Sequence, residues 1–65
     1  MIYRVSLKAA RVNVGMTQDQ AGDALGVSKS TIINWEHGET SPDYNMMQKI
    51  CSVYNVPMDN LILPS

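Results

Sequence analysis

Residues 17–38 read TQDQAGDALGVSKSTIINWEHG, and the order of caps, apolar spacings and glycines in this stretch decides the fold. Thr17 followed by Gln20 is a capping box: the Thr oxygen takes an amide of the first turn and the Gln side chain reaches back to the cap amide. The helix that follows runs to Leu25, with Ala21, Ala24 and Leu25 as an i, i+3, i+4 apolar stripe. Gly26 stops it, because a residue without Cβ takes the left-handed conformation of a C-terminal turn at no steric cost. Val27 is apolar inside a tight turn, which fits a plug in the angle between two helices. Ser28 is placed to cap the next helix, which runs to about His37 and ends at Gly38.

Two capped helices joined through one glycine turn form a helix-turn-helix corner, whose second helix is built to lie in the major groove of DNA. The faces of that helix follow from arithmetic. At about 100° per residue, Ile32 and Trp35 fall within about 60° of each other and form the buried side. The opposite side carries Ser30, Ile33, Asn34 and His37, with Lys29 on its flank and Glu36 near the boundary. This outward surface is polar, short-chained and mostly uncharged, where an ordinary surface helix carries Lys, Glu and Arg. It suits base reading: Asn bonds adenine in a bidentate way, Lys reaches guanine O6 and N7, and an apolar tip touches a thymine methyl. The plain alternative is a solvated face with one stray Ile, since single exposed apolar residues need no explanation. The completeness of the cap–turn–cap pattern favours base reading.

Outward from this corner, residues 2–5 alternate apolar and polar and read as extended. A first helix is expected from about Ser6 to just before Gly15, burying Leu7, Ala10 and Val14. Ser41-Pro42 reads as the opening of a fourth helix, a capping residue followed by Pro in the first turn. Its inner face is expected to be Tyr44, Met47, Ile50, Cys51 and Tyr54, with Met46 and Met47 as gap-fillers. Asn55 can end that helix in the left-handed conformation, and Pro57 opens a short fifth helix ending near Ile62. No internal repeat, linker or low-complexity segment interrupts the chain.

Three stretches are spread along the sequence between residues 7 and 62: LKAARVNVGMTQ, ALGVSKSTIINWEHGETSP and ICSVYNVPMDNLI. Together they resemble the small phage-repressor and Cro-type helix-turn-helix family, the lambda-repressor-like domains. The resemblance implies an all-α, compact five-helix bundle with the helix-turn-helix at its centre, residues 1–65 forming one DNA-binding domain that acts on operator DNA as a repressor. It implies that Gln18 touches a phosphate and braces the reading helix. Lys29, Ser30 and Asn34 are expected to face bases, and Ser28 and Thr31 to contact backbone or base edges. Thr17, Ile33, His37 and Thr40 complete the expected DNA-contact set. Arg11 and Glu36 match a pair that forms a partly buried salt bridge between the first and third helices. Three positions depart from the family pattern. Gly22 stands where Ala is preferred at the tight helix crossing, a change that costs about 0.5–1 kcal/mol of helix stability. Ala21 replaces a larger aliphatic and implies a thinner core there. Glu39 lies where a basic residue often meets a phosphate.

Composition sets limits on function. A chain of 65 residues is one domain with a marginal core. No apolar run is long enough to span a membrane and no signal-peptide pattern is present, so a cytoplasmic location is expected. The single Cys51 excludes an internal disulfide and, lying beside Ile50, reads as a small core residue; no accompanying base pattern supports a reactive thiol. His37 is the only His and no metal-ligand cluster exists, so neither a metal nor a cofactor is expected. No nucleophile–base pair or phosphate loop supports an enzyme. The net charge of −1 is the main objection to DNA binding, since DNA binders usually show a basic footprint. It is unevenly spread: residues 1–30 hold Arg4, Lys8, Arg11 and Lys29 against Asp19 and Asp23, a balance of +2. Residues 31–65 hold Lys49 against Glu36, Glu39, Asp43 and Asp59, a balance of −3. Helix N-termini, whose amides bind anions, can supply part of the missing positive charge. The expected partners are double-stranded operator DNA and a second copy of the chain in a weak homodimer, formed or stabilised on DNA, with no membrane and no small-molecule ligand. The rival reading is an antitoxin-like or other protein-interaction module in which DNA binding is secondary.

Overall fold

The computed structural model describes residues 4–63. A short strand β1 (Val5–Ser6) leads into four helices, α1 (Leu7–Asn13), α2 (Gln18–Leu25), α3 (Lys29–His37) and α4 (Tyr44–Val53). A single 3-10 turn (Met58–Asn60) and a second short strand β2 (Leu61–Ile62) follow. Helix α2 packs against both α3 and α4, while α1 closes against α3 and the strands. The core is built from Leu7, Ala10, Ala21, Leu25, Ile32, Trp35, Met47, Ile50 and Tyr54, with Val27 packed against it from the turn, as its apolar character implied.

The caps fall largely where the sequence placed them, because capping is a local matter of side-chain oxygen and backbone amide. Ser6 accepts from the Ala9 amide at 3.1 Å. Thr17 and Gln20 form the reciprocal box, with the Gln20 amide donating to Thr17 Oγ1 at 3.1 Å and the Thr17 amide to Gln20 Oε1 at 2.9 Å. Ser28 accepts from the Thr31 amide at 3.2 Å. Gly26 sits in the left-handed region at φ +74°, as does Asn55 at φ 55°.

Five expectations are corrected. The fifth helix is absent: only the 3-10 turn forms, and Leu61–Ile62 extends to pair in parallel with Val5–Ser6, Val5 facing Leu61 and Ser6 facing Ile62. So short a segment gains little from a helix whose first turn is costly to nucleate, and pairing with an existing extended segment satisfies its backbone groups instead. The extended reading of residues 2–5 therefore holds at Val5, while Ile2 and Tyr3 lie outside the described residues. Helix α4 begins later than Ser41-Pro42 implies. Asp43 is its cap, accepting from the Met46 amide at 2.8 Å, and the buried Pro42 precedes the cap rather than opening the first turn. Tyr44 is 66 % exposed rather than inward. It lies about 90° around the helix from the mean direction of Met47, Ile50 and Tyr54, too far to share their face. Ala24 is exposed for the same reason, about 110° from the mean direction of the buried Ala21, Gly22 and Leu25. Val14 is exposed because α1 stops at Asn13, leaving Val14 as its C-terminal cap.

Candidate nucleic-acid interface

The surface that carries the candidate contacts is held by a polar cluster under its rear edge. Arg11 on α1 donates to Glu36 on α3 through two nitrogens, Nε to Oε2 at 2.6 Å and Nη2 to Oε1 at 3.3 Å. The two side chains are only 8 % and 4 % exposed. The remaining guanidinium nitrogen, Nη1, donates to the Met16 carbonyl at 2.8 Å, so Arg11 also fixes the turn between α1 and α2. Gln18, in the first turn of α2, donates from Nε2 to Glu36 Oε1 at 3.2 Å. One carboxylate near the end of α3 thus ties α1 and α2 to the same point. The hydrogen bond to Glu36 raises the Arg11 pKa above its ordinary value against the opposing effect of burial, so Arg11 stays charged wherever the domain folds. The expected partly buried pair is present.

Helices α2 and α3 cross closely because Gly22 lacks a side chain. A Cβ there would stand 2.7 Å from the Val27 carbonyl oxygen. The Val27 amide donates to the Gly22 carbonyl at 2.9 Å, which locks the turn to the helix it leaves. The sequence predicts that Gly22 keeps the clearance at a cost in helix stability. In this chain the backbones have closed until only a glycine fits. From the other side, Lys49 on α4 donates to the Leu25 carbonyl at 3.2 Å, placing a positive charge at the C-terminal end of α2, where the helix dipole favours it.

On this frame α3 buries Ile32 and Trp35. It leaves Lys29, Ser30 and His37 exposed, with Thr31, Ile33 and Asn34 half-buried. Thr17, Ser28 and Thr40 are exposed, and Gln18 is half-buried. The hydroxyls are partly committed. Thr17 Oγ1 and Ser28 Oγ accept backbone amides, which leaves their O–H groups as donors. Ser28 Oγ and Thr31 Oγ1 lie 3.0 Å apart and share one hydrogen bond, so one O–H of that pair remains to be donated outward. Two contacts had no signal in the sequence, because their partners come from different elements. One is Lys49 on the Leu25 carbonyl. The other is an ion pair between Lys29 Nζ and Asp19 Oδ2 at 3.9 Å, on the exposed side of α2 and α3.

Among the described residues no helix is long and apolar enough to cross a membrane. A hollow of about 280 Å³ lies away from α2 and α3, lined by β1, the C-terminal end of α1 and the segment from the end of α4 into the 3-10 turn, among them Val5, Val14, Tyr54 and Asn60.

A family model described as Helix-turn-helix matches residues 7–61. The HTH-type transcriptional regulator ImmR of Bacillus subtilis is 34% identical over 56 residues, 86% of this chain and 44% of the relative. An uncharacterized HTH-type transcriptional regulator of Archaeoglobus fulgidus is 30% identical over 60 residues, 92% of this chain and 86% of the relative. The cryptic phage CTXphi transcriptional repressor RstR of Vibrio cholerae is 27% identical over 64 residues, 98% of this chain and 58% of the relative. The chain therefore spans less than half of ImmR and somewhat over half of RstR.

Proposed function

The chain belongs to the helix-turn-helix family, and we propose that it is a sequence-specific transcriptional regulator, a Cro-like repressor of phage or prophage type, that reads operator half-sites with α3 in the major groove. The observation that carries this reading is the outward face of α3. It combines Asn34, Ser30, Ile33 and Lys29, an amide, a hydroxyl, an apolar tip and a cation, on a helix fixed from three sides by Gly22, Glu36 and the Ser28 cap. In this reading Asn34 and Lys29 discriminate bases. Thr17, Gln18, Ser28, Thr31, His37 and Thr40 position the helix through phosphates or base edges, and first-turn amides of α2 and α3 supplement them. The protein acts in the cytoplasm, by binding alone and without catalysis or cofactor.

Residues 1–65 form one such domain and bind DNA as a two-fold pair. One short reading helix covers few base pairs, and two copies on a dyad read half-sites about 34 Å apart. The surfaces that suit pairing are the loop after Gly38 and the apolar end, where Ile62 and Leu63 are 46 % and 37 % exposed while Leu61 packs against the core. Pairing through so little area is weak, with DNA supplying the effective concentration.

Selection of duplexes from a random pool, followed by footprinting, tests both parts. A defined, two-fold symmetric site is expected. At that site Asn34→Ala or Lys29→Ala should lose about 1–3 kcal/mol if each makes a bidentate base contact, while binding to unrelated DNA changes much less. Equal losses on both DNAs would reduce these residues to backbone contacts. Protection of a single half-site, insensitive to spacing, would remove the dimer.

A further inference from the structure

Lys29 is the only Lys or Arg in residues 17–38. It opens α3, and its Nζ lies 3.9 Å from Asp19 Oδ2 on the first turn of α2. Both side chains are largely exposed, at 53 % and 72 %. The other cations near the corner are engaged elsewhere: Arg11 is buried on Glu36, and Lys49 holds the Leu25 carbonyl. We propose that Asp19 is a specificity-determining residue: it competes with phosphate for Lys29, and so denies this surface its one strong sequence-independent contact.

The argument is one of alternatives. An exposed ion pair of this length gains little in water and adds little to the fold. Its effect appears when DNA arrives. A phosphate offers Lys29 one more anion in place of the one it has, and it brings its own charge close to the Asp19 carboxylate. The exchange is close to neutral and is opposed by repulsion. A guanine edge offers O6 and N7 together without a formal charge, so Lys29 can swing to it without drawing a further phosphate against Asp19. The carboxylate thus weakens binding to any duplex and weakens it least where a base contact is available. The ratio of specific to non-specific binding rises, although absolute affinity does not.

This inference rests on the DNA-reading function proposed above, and the experiment separates the two. Binding of Asp19→Asn and wild type is measured on a random-sequence duplex and on the selected operator across a salt series. Asp23→Asn, one turn further along α2 and exposed, carries the same change in net charge as a control. On random duplex, Asp19→Asn is expected to bind about 3–10-fold more tightly at low salt. Its slope of log K against log salt should steepen by about 0.9, the value for one further phosphate neutralised. Asp23→Asn should leave the slope unchanged. On the operator, Asp19→Asn should change affinity about 2-fold or less, so that the specificity ratio falls. In a Lys29→Gln background the effect of Asp19→Asn on the slope should vanish. Equal gains from Asp19→Asn and Asp23→Asn on both duplexes would reduce Asp19 to net charge and overturn the inference while leaving the DNA-reading function in place. So would a lowered unfolding temperature for Asp19→Asn with unchanged binding, which makes Asp19 only a helix-terminal acid. Failure of the wild type to select any DNA would overturn the inference and the function together.

Discussion

Breaking the Arg11–Glu36 pair from one side should damage the protein more than removing it whole. Arg11→Met leaves the Glu36 carboxylate, 4 % exposed, with Gln18 as its one remaining donor among the described residues and strips the Met16 carbonyl of its partner. Glu36→Met leaves a guanidinium, 8 % exposed, that keeps Met16 but has lost its counter-charge. An uncompensated buried charge of this kind costs about 3–5 kcal/mol. The double variant leaves only neutral groups short of a partner, the Met16 carbonyl and the Gln18 amide, at about 1 kcal/mol each. It also removes the desolvation cost of two ions. The double variant should therefore lose about 2 kcal/mol, less than either single variant. A chain of this length has about 3–10 kcal/mol in total, so each single variant approaches the limit of folding. Urea titration followed by fluorescence of Trp35, the only Trp and a buried one, reads all four states, with trimethylamine oxide added where a single variant unfolds in water. Strictly additive losses, or a double variant worse than both singles, would show that the pair is not the tie described here.

Gly22→Ala sets two effects against each other. Helix propensity gains about 0.5–1 kcal/mol, while a Cβ at 2.7 Å from the rigid Val27 carbonyl costs about 1–3 kcal/mol as overpacking. A net loss is expected, with looser registration of α3; a higher unfolding temperature for the variant would refute the close-crossing argument. Alkali should also destabilise the domain. Burial, with Glu36 adding to it and Arg11 opposing, raises the Tyr54 pKa above its ordinary value of 10.0. The folded phenol thus holds its proton after the unfolded one has lost it, so this contribution is whole below pH 10 and is lost as pH rises through the folded value. Burial raises Cys51 in the same direction from 9.0. Tyr54→Phe in a Cys51→Ala background should flatten the alkaline fall of stability between pH 9 and 11, and an unchanged profile would show that these groups are not its source.

What could be read in the sequence divides by range. The capping box of Thr17 and Gln20, the Gly26 stop and the Ser28 cap each need only neighbours within one turn, and all three form as read. The Ile32–Trp35 face follows from helical arithmetic once the start of α3 is fixed. The start of α4 is ambiguous in the sequence because Ser41 and Asp43 are both good caps and Pro42 suits a first turn after Ser41; only packing, which buries Pro42, selects Asp43. The fifth helix was lost to a partner at the other end of the chain. Its segment, Met58 to Ile62, carries no local mark of the pairing with Val5–Ser6. The Arg11–Glu36 tie is legible only through the family resemblance, since residues so far apart in sequence are joined by no spacing rule. Asp19–Lys29 and Lys49 on the Leu25 carbonyl had neither a local rule nor a family pattern to announce them.

The same long-range contacts answer the objection raised by a net charge of −1. A basic footprint is the usual source of DNA affinity, and that affinity falls on every sequence alike. Here Arg11 holds the frame and Lys49 closes the end of α2, so both positive charges serve the angle between the helices. The face that remains is mostly neutral, and neutral donors and acceptors gain most where the opposing groups match them and lose desolvation energy where they do not. The proposed function therefore predicts weak binding to arbitrary duplex and dependence on geometry for the preferred one. On the proposed reading, rigid placement of α3 by Gly22 and Glu36 serves recognition as well as stability, because the Asn34 amide would discriminate a base edge only with its position fixed before contact.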